Sequence, residues 1–554
     1  MRIKAKGWLS LLIMVGMAAG ICASSTVTAS SYSKDSYYVK PAYRAESFNV
    51  IDVSNMTDAE KTMIATLQGI VANKTSTQIY VTDTTGKAGF AEDAYTLYLN
   101  DLRDHYGIPY KTVTDPWALV DTYKSYIKGY LLYQTGNSSI NAANSLAGIQ
   151  DAIVVEAGIQ SKAESHGLKL VQDVSTKDEQ WVKEKYWDQL NHGLVVEAKE
   201  SIAMHMRDYA TMAKALIFFD GNSSFRTSIM QSLDDDSVVM GWGEVQGSEE
   251  TFIADSSKNG VLTIPADWGR NLSVLSGIPV KESLKQNTHA APKTEKNVHY
   301  VCFYVSDGDN LQWTINRGND PQWWGSSSRG AYKLGWTIPP SICDLAPSVA
   351  KWYYDTAASG KDNFIVGPSG GGFIFPEAYP SNELELHTKR LNDSMAKTDT
   401  RVVGVIGRSS FNNTAVWDKY TSKANIDGIF YYDWTSFFGN PYSRKINWSN
   451  GKPVIGTAYK LADGLSYAQN KNTVLNGLNK AARNPSSASG YSLVAIDAWN
   501  NYDLPGTVKY IVDRLNPNVR VVTPEEFVKL INTNLKSTRG FDQADYTEEV
   551  NIPE

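Results

Sequence analysis

Short apolar runs alternate with amphipathic stretches along most of the chain, and this alternation predicts β-strands separated by α-helices. Residues 48–53 are predicted to form the first strand, and a helix follows that runs to about Ala72. Later strands of the first half are predicted at residues 78–82, 129–133, 151–155, 215–219 and 237–242. Strands that alternate with helices pair in parallel and are covered on both faces. Residues 45–280 are therefore predicted to form an N-terminal α/β domain with a mostly parallel sheet.

The same alternation returns after residues 281–298, a polar and weakly periodic segment that is the predicted linker. Seven further strands are predicted at residues 299–305, 363–366, 401–406, 426–432, 453–456, 492–496 and 519–522. Helices are predicted between most of them, and Thr523 and Pro524 begin a final helix that includes residues 527–534. Residues 299–538 are therefore predicted to form a (β/α) barrel-like domain of about seven strands. An open doubly wound sheet fits the same pattern.

Polar and aromatic residues follow nearly every predicted strand of the second half, and this favours the barrel. The loops after barrel strands all meet at one face, whereas an open sheet concentrates its binding residues near one switch point. The residues at or soon after these strand ends are Asp307, Asp309, Glu377, Arg408, Asp433, Trp434, Tyr459, Asp497, Trp499 and Asn500. The sequence thus predicts an acid-rich ligand cleft on this face.

The most specific local motif is the run from Ser306 to Asn310, Ser-Asp-Gly-Asp-Asn, directly after a predicted strand. Gly308 allows a sharp turn, so that Asp307 and Asp309 can point toward one ligand. The two carboxyl groups suit a glycosidase, in which one carboxyl acts as acid and another as nucleophile or base. They also suit Ca²⁺, although the spacing does not complete an EF-hand, or a structural turn. No other cofactor or metal is predicted.

Four tryptophans follow this motif, at positions 313, 323, 324 and 336. Their neighbours are Gly, Asn, Pro and Ser rather than Leu or Val, which indicates loops. Stacking on sugar rings and burial in a core both remain open for them. We predict that eight residues of this half bind the substrate: Asn310, Trp313, Trp336, Arg408, Trp434, Tyr459, Trp499 and Asn500.

Two aromatic clusters of the first half follow predicted strands or loops. Gly241–Glu244, Gly-Trp-Gly-Glu, is followed by Glu249 and Glu250, and residues 267–271 read Asp-Trp-Gly-Arg-Asn. Both clusters fit loops near a domain interface, and both also fit a contribution to a cleft shared with the second half.

Composition and missing motifs exclude several classes of function. The net charge is −6, and no Lys/Arg cluster is interleaved with aromatic residues, which argues against nucleic acid as a partner. The seven histidines form no HxxxH or HxH pair, which disfavours zinc hydrolysis, and no GxSxG motif supports a serine hydrolase. The first half has no GxGxxG or P-loop motif for a nucleotide. The 15 Trp and 31 Tyr are typical of extracellular carbohydrate-active proteins, and also of large cores.

The ends of the chain are predicted to lie outside the fold. Residues 1–29 have a basic start, an apolar centre and a small-residue cleavage site at Ala29, with Ala23 as an alternative, which predicts a signal peptide and a secreted protein. No later apolar run is long enough to span a membrane. Residues 30–45 are predicted to be a loose leader, and 539–554 an acidic disordered tail. Cys302 and Cys343 are either free or bridged.

The segment Gly370–Pro376, Gly-Gly-Gly-Phe-Ile-Phe-Pro, resembles the GxGYxYP signature, with Phe in place of both tyrosines. Further matches are Leu-Gln-Gly-Ile-Val at 67–71, the run at 306–310, and Leu-Gly-Trp-Thr-Ile-Pro-Pro at 334–340. That signature names a bacterial family of glycoside hydrolases with an N-terminal and a C-terminal domain. The resemblance covers nearly the whole mature chain and implies an exported two-domain protein that meets glycans. The loss of both phenols argues against a role that needs a Tyr hydroxyl there.

The sequence therefore predicts a secreted glycoside hydrolase that acts on a polysaccharide or glycoconjugate. Its candidate catalytic carboxylates are Asp307, Asp309, Glu377, Asp433 and Asp497, and we predict that Glu377 pairs with Asp307 or Asp309. The alternative is a non-catalytic protein that binds a glycan or the cell wall through the same cleft, because carboxylates that bind hydroxyl groups look the same in sequence.

Overall fold

A computed structural model describes most of the chain. The described residues are 37–84, 94–202, 205–219, 221, 223–243, 249–280, 282–286, 292–306, 310–317, 320–435, 441–466, 468–499, 503–535 and 540–541. Asp307, Asp309, Asn500 and the predicted signal peptide lie outside these ranges, as does nearly all of the predicted tail. Within the described ranges, every helix is too short or too polar to cross a bilayer.

The N-terminal half contains three sheets rather than the single sheet predicted. The first unit comprises β1 (Ser47–Asp52), α1 (Asp58–Ala72), β2 (Thr77–Thr82), α2 (Ala94–Tyr106), β3 (Tyr110–Val113) and α3 (Pro116–Tyr123). The second comprises β4 (Gly129–Tyr133), α4 (Ser139–Gln150), β5 (Ala152–Glu156), α5 (Gln160–Ser165), β6 (Leu170–Asp173) and α6 (Glu179–Tyr186). The third comprises β7 (Leu194–Ala198), α7 (Arg207–Ala213), β8 (Ile217–Phe219), α8 (Ser223–Met230), β9 (Ser237–Gly241), α9 (Glu249–Lys258), β10 (Val261–Ile264) and α10 (Leu272–Leu275).

The strand orders are β2-β1-β3, β5-β4-β6 and β10-β9-β7-β8, and the recorded strand pairs in these three sheets are all parallel. The parallel α/β character predicted for this half is therefore confirmed. The sequence pattern missed β3 and β6, which are partly exposed and carry no continuous apolar run. It also missed β7 and β10. Both are short apolar runs, and the periodicity of so short a run does not distinguish a buried strand from part of a helix.

Helix α1 shows how local chemistry sets an element boundary. The Thr57 side chain accepts a hydrogen bond from the Glu60 amide, and the Glu60 side chain accepts one from the Thr57 amide. This reciprocal capping box satisfies two amides that the helix itself leaves unpaired. The predicted helix and its end at Ala72 are confirmed. Thr523 and Glu526 form the same motif at the last helix of the chain.

The C-terminal half is built on one large curled sheet. Its strands are β11 (His299–Val305), β12 (Leu334–Ile338), β13 (Asp362–Val366), β14 (Val402–Gly407), β15 (Gly428–Asp433), β16 (Ile446–Ser449), β17 (Lys452–Gly456), β18 (Tyr459–Leu461), β19 (Tyr491–Ile496), β20 (Val519–Val521) and β21 (Gly540–Phe541). Its helices are α11 (Leu311–Asn316), α12 (Ile342–Leu345), α13 (Pro347–Thr356), α14 (Ser381–Thr398), α15 (Thr414–Thr421), α16 (Lys471–Lys480), α17 (Leu504–Val512) and α18 (Pro524–Asn534).

The order of this sheet is β18-β19-β11-β12-β13-β14-β15-β17-β16-β21, and β20 pairs with β11 outside that path. All recorded pairs are parallel except those of β16 with β17 and β21. β17 pairs with β15, and β18, which follows after residues 457–458, pairs with β19 at the other end of the parallel run. One short stretch of chain thus joins the two ends, and the sheet curls back on itself.

Six of the seven strands predicted for this half lie in the parallel run. The seventh, β20, exists but pairs with β11 alone and lies outside the run. The run also contains β12, between β11 and β13. The sequence analysis placed Trp336 in a loop because the neighbours of the four tryptophans are Gly, Asn, Pro and Ser. Trp336 is buried, and its indole N–H donates to Asp362 Oδ1 at 3.0 Å. Cys302 and Cys343 are both free.

The segment before β1 is packed, so the predicted loose leader is wrong for its described part. Tyr37 and Tyr38 are buried, and the Tyr37 hydroxyl donates to Asp236 Oδ1 at 2.5 Å. Arg390 of α14 contacts the same aspartate. At the other end of the chain, residues 540–541 form β21 against β16, and the rest of the predicted tail lies outside the described residues.

The signature segment joins the two halves of the chain. The Phe373 amide donates to the Thr263 carbonyl at 2.8 Å, and the two residues form an antiparallel bridge next to β10. The Phe375 amide donates to Ser257 Oγ at 3.0 Å, and the Tyr379 hydroxyl donates to the Gly260 carbonyl at 2.6 Å. In these three contacts the donors are the backbone amides of Phe373 and Phe375 and the hydroxyl of Tyr379. None of the contacts uses a phenol at position 373 or 375, so Phe is compatible with both positions.

Gly372 is required by this close approach. A Cβ atom at this position would lie 2.3 Å from the Thr263 carbonyl oxygen and 2.6 Å from Ile264 Cδ1. We predict that Gly372→Ala lowers the free energy of unfolding by about 1–3 kcal/mol, because the bridge must separate to admit the methyl group. Urea unfolding of the full chain measures this.

The control is Gly221→Ala, since a Cβ at Gly221 has no described atom within 4 Å and its φ lies outside the left-handed range. Equal unfolding midpoints for wild type and Gly372→Ala would show that the bridge does not constrain this residue.

Candidate functional site

The candidate site lies where the loops after β13, β14 and β15 meet the third N-terminal unit. Glu377 is in the loop after the signature segment, and its side chain is 15% exposed. Its Oε1 accepts from the Arg408 amide at 3.0 Å, and its Oε2 is buried without a hydrogen bond to any described residue. Burial raises the pKa of Glu377 above that of an ordinary glutamate. Its own amide, the Arg408 amide, the nearby Ser410 hydroxyl and the positive charge of Arg408 oppose this rise.

Arg408 follows β14 and links the two halves at this point. Its Nε lies 3.6 Å from Glu377 Oε1, and its Nη1 donates to Glu250 Oε1 of α9 at 3.3 Å. The guanidinium lies 4.5 Å from the centroid of the Phe375 ring, which is a cation–π distance. Arg408 and Glu377, both predicted at strand ends of one face, contact each other, and Glu250 brings the N-terminal half into the site.

Asp433, at the end of β15, is fully buried and hydrogen-bonded on both oxygens. Oδ2 accepts from the Ser409 amide at 2.9 Å and from the Tyr431 hydroxyl at 2.8 Å. Oδ1 accepts from the Thr435 amide at 3.0 Å and the Thr435 hydroxyl at 2.6 Å. Four donors fill the usual capacity of a carboxylate, so this side chain holds the loops together rather than facing a ligand.

Glu377 and Asp433 are close because the two successive amides of Arg408 and Ser409 each bind one of them. Tyr431 extends the connection, since its hydroxyl also accepts from the Ser410 amide at 2.9 Å. The sequence predicted that these strand ends converge, and they do. The sequence analysis did not identify Ser410 or Tyr431 as site residues. Their positions near the ends of predicted strands were the one feature that could have indicated them.

Lys460 is a buried cation beside Asp433 that the sequence analysis did not identify. It lies in β18, its Nζ donates to the Asp433 backbone carbonyl at 2.9 Å, and it is 4.2 Å from the centroid of the Tyr432 ring. Burial lowers the pKa of Lys460 to about 8, and the charge of Asp433 opposes this shift. The neighbouring residue Tyr459, a predicted binding residue, accepts from Arg444 Nη2 at 2.8 Å.

A second group of predicted residues surrounds the end of β19. Asp497 Oδ1 accepts from the Trp499 amide at 2.9 Å, and Trp499 is 39% exposed. The Trp499 ring lies 6.3 Å from that of Trp268, which follows β10 in the N-terminal half. Asn310 begins α11 and accepts from Gln312 Nε2 at 3.1 Å. In the sheet order, β11 and β12 lie between β19 and β13, the strand that precedes Glu377.

Two of the predicted sugar-binding tryptophans are core residues. Trp313 is 5% exposed and packs edge-on against Trp323, with 5.4 Å between ring centroids. Trp336 is 3% exposed. Their polar sequence neighbours suggested loops, but the tertiary fold covers both rings, so the predicted platform is wrong for them. Trp434 is half-buried against Phe373 and Phe375.

The third N-terminal unit contributes an ion pair with a buried aspartate near its contact with α11 of the C-terminal half. Asp267, which follows β10, is 2% exposed and lies 3.3 Å from Lys199 Nζ. The Asn316 amide side chain donates to the Trp268 carbonyl at 3.1 Å, which fixes this loop against α11. Trp242 stacks on Phe373 with 6.3 Å between ring centroids. The described residues of the two predicted clusters, 241–243 and 267–271, therefore lie at an interface, as one of the two predictions for them stated.

Within the described ranges, no group of three or more His, Cys, Asp or Glu side chains is arranged to hold a metal ion. Asp307 and Asp309, the residues to which Ca²⁺ was assigned as an alternative, lie outside those ranges.

Four family models match consecutive parts of the chain. The model described as "GxGYxYP putative glycoside hydrolase C-terminal domain" matches residues 297–532. Models of the first, second and third N-terminal domains of the same family match residues 47–125, 127–190 and 192–277. The chain belongs to the GxGYxYP family. Each of the three N-terminal matches contains one of the three small sheets.

Two solved structures differ widely in their similarity to this chain. One described as "a putative hydrolase from Bacteroides thetaiotaomicron VPI-5482" is 33% identical, covers 90% of this chain and 97% of its own, and has a TM-score of 0.83. Another, a "putative polysaccharide deacetylase from Mycobacterium smegmatis", is 10% identical with a TM-score of 0.27, covering 49% of this chain and 100% of its own. A likeness that low carries no argument. No curated protein matches this GxGYxYP chain.

The buried ammonium of Lys460 makes a testable contribution to stability. Below pH 8 both the folded and the unfolded protein keep this proton, and from pH 8 to 10.5 only the unfolded protein does. The unfolded state then binds more protons, so stability rises with pH across this window. We predict that wild type gains up to about 3 kcal/mol over Lys460→Met between these limits.

Urea unfolding at a series of pH values measures the difference. Lys480→Met, a change at an exposed lysine at the end of α16, is the control and should show no such gain. A constant difference between wild type and Lys460→Met from pH 7 to pH 11 would contradict the assignment.

Proposed function

We propose that this protein is a glycoside hydrolase that acts on a polysaccharide or glycoconjugate, with Glu377 as the general acid. The observation that carries the proposal is the environment of Glu377. Its carboxyl is nearly buried, one oxygen is held by the Arg408 amide, and the other has no hydrogen-bond partner among the described residues. The description of the family and that of the 33% identical hydrolase support the same reaction class.

The chemistry follows from that environment. Hydrolysis of a glycosidic bond requires a carboxylic acid that protonates the leaving oxygen. Burial raises the pKa of Glu377 and so keeps it protonated at higher pH than an exposed glutamate. The free Oε2 is the atom that carries the proton to the leaving group, while Oε1 stays on the Arg408 amide.

The second carboxylate is proposed to be Asp307 or Asp309. Both follow β11 directly in the sequence, and the C-terminal ends of parallel strands share one edge of the sheet. Asp433 is a poor candidate, because four donors already occupy its oxygens. Trp499 and Trp268 are proposed as the sugar-contacting rings, since Trp499 is exposed where the two halves meet.

The proposal includes the setting of the site. The C-terminal half is proposed to close as a seven-stranded (β/α) barrel, in which residues 452–461 supply one strand that pairs with both β15 and β19. The protein is proposed to be secreted after cleavage near Ala29, with domain limits at 45–280 and 299–538 and a linker between them.

Replacement of Glu377 tests the assignment. We predict that Glu377→Gln lowers kcat for natural glycans by about 10²–10⁴-fold, because the amide cannot donate the proton. Rates on aryl glycosides with acidic phenol leaving groups should fall much less, since those groups leave without protonation. The wild-type rate should decline as pH rises through the raised pKa of Glu377, because the acid form is lost, and the variant should lose this decline.

Glu385→Gln is the matched control, since Glu385 is a half-exposed glutamate on α14 that pairs with lysines. Equal activity of Glu377→Gln and wild type on an unactivated glycan, with both proteins folded, refutes the general-acid role.

The partner carboxylate has its own test. We predict that Asp307→Asn or Asp309→Asn abolishes turnover of aryl glycosides as well, because a nucleophile or base is needed whatever the leaving group. Initial rates on an activated aryl glycoside measure this. Full activity of both variants would assign the role to another carboxylate, with Asp497 the next candidate.

A non-catalytic glycan-binding protein is the second candidate function. The observation that favours it is Asp433, a carboxylate at a strand end whose oxygens are used entirely for structure. Binding to members of a glycan panel without release of reducing ends, by wild type at pH 4 to 8, would support this candidate over hydrolysis.

A further inference from the structure

A groove of about 590 Å³ lies away from the candidate site, between the segment before β1, the residues after α10, and helices α12 to α14. Its volume is within the range of about 300–1,000 Å³ that small-ligand sites occupy. The small cavity beside His387 measures only about 60 Å³. None of the residues that line the groove takes part in the Glu377 or Asp433 contacts.

The groove is positively charged in a protein whose net charge is −6. Lys40, Arg44 and Lys397 line it, and Glu282 is the one acidic residue among the described lining residues. Glu282 lies 3.5 Å from Lys351, and Lys40 lies 3.7 Å from Asp344. Arg44 and Lys397 are exposed and form no ion pair within the described ranges. Two cations thus remain available to an anion.

The rest of the lining is apolar and aliphatic. Its apolar members include Pro41, Pro279, Val280, Leu284, Pro347 and Ala396. No aromatic ring is among the described lining residues, so the groove lacks the flat faces on which sugar rings stack. The lining therefore suits a ligand that has an apolar body and an anionic group.

The start of helix α13 and the side chain of Ser276 also favour a polar or anionic group in the groove. Pro347 begins α13, a ten-residue helix, so the positive end of the helix dipole lies beside the groove and favours a negative charge there. Ser276 also lines the groove and is 3% exposed, and its Oγ makes no hydrogen bond to a described residue. A buried hydroxyl without a partner costs free energy, which a bound molecule can recover.

We propose that this groove is a binding site for an amphipathic organic anion, a carboxylate or sulfonate attached to an apolar body. Arg44 and Lys397 bind the anionic group, and the proline and aliphatic side chains cover the apolar body. The site is separate from the proposed hydrolytic centre and does not depend on it.

The probe for this site is 1-anilinonaphthalene-8-sulfonate, a sulfonate on an apolar ring system, titrated into the folded full-length mature protein. We expect saturable fluorescence with one site per chain and weaker binding at higher salt, because exposed charges are screened. The double change Arg44→Glu and Lys397→Glu should raise Kd at least about tenfold, because two attractive charges become repulsive.

Two exposed lysines of α14 provide a matched pair of single variants. Lys397→Glu should weaken binding, and Lys389→Glu, on the same helix but outside the groove lining, should leave Kd unchanged. Decanoate should displace the probe, whereas inorganic sulfate at equal ionic strength should not. Any of three results would overturn the proposal. These are no saturable binding of the probe, equal effects of the two lysine variants on Kd, and displacement of the probe by sulfate as effectively as by decanoate. Hydrolytic activity is measured in parallel, and its loss or retention leaves this test unaffected.

Discussion

The hydrogen bond from the Phe373 amide to the Thr263 carbonyl is the contact on which the candidate site depends. It holds the signature loop against β10, and Gly372 makes the approach possible because it has no side chain. Glu377 follows four residues later, so its position is set by the N-terminal half as much as by its own sheet. The contact of Arg408 with Glu250 closes the same junction from the other side. Residues of both the N-terminal and the C-terminal half therefore position the candidate site.

Two neighbouring carboxylates acquire different roles from the number of donors that each one meets. Asp433 is wholly buried, but four hydrogen bonds replace the water that it has lost. Glu377 is also largely buried, but it receives one strong hydrogen bond from a neighbouring loop and keeps one oxygen unsatisfied. The first environment satisfies both carboxylate oxygens with donors, and burial in the second raises the pKa of Glu377. Glu377 and Asp433 carry the same functional group, and the number of hydrogen-bond donors around each carboxyl gives them different roles.

Local patterns predicted much of this architecture because they report local physics. The capping boxes at Thr57 and Thr523 mark real helix starts, and the parallel strand ends bring Glu377, Arg408 and Asp433 together as predicted. Burial of Trp313 and Trp336 could not be predicted, because it depends on chain segments far away in sequence. The division of the first half into three sheets has the same origin, since strand partners are chosen by tertiary packing. Lys460 gave no signal, because a single lysine in a short strand is usually solvated.

Ser409 has a left-handed backbone conformation, with a φ of 53°, and this turn directs consecutive amides at two different acids. Successive N–H groups in such a turn form a small concave anion site. Glu377 and Asp433 are therefore held by neighbouring amides of one turn. A change in the backbone at Ser409 displaces both carboxylates together, so this turn sets the distance between the proposed acid and the structural carboxylate beside it.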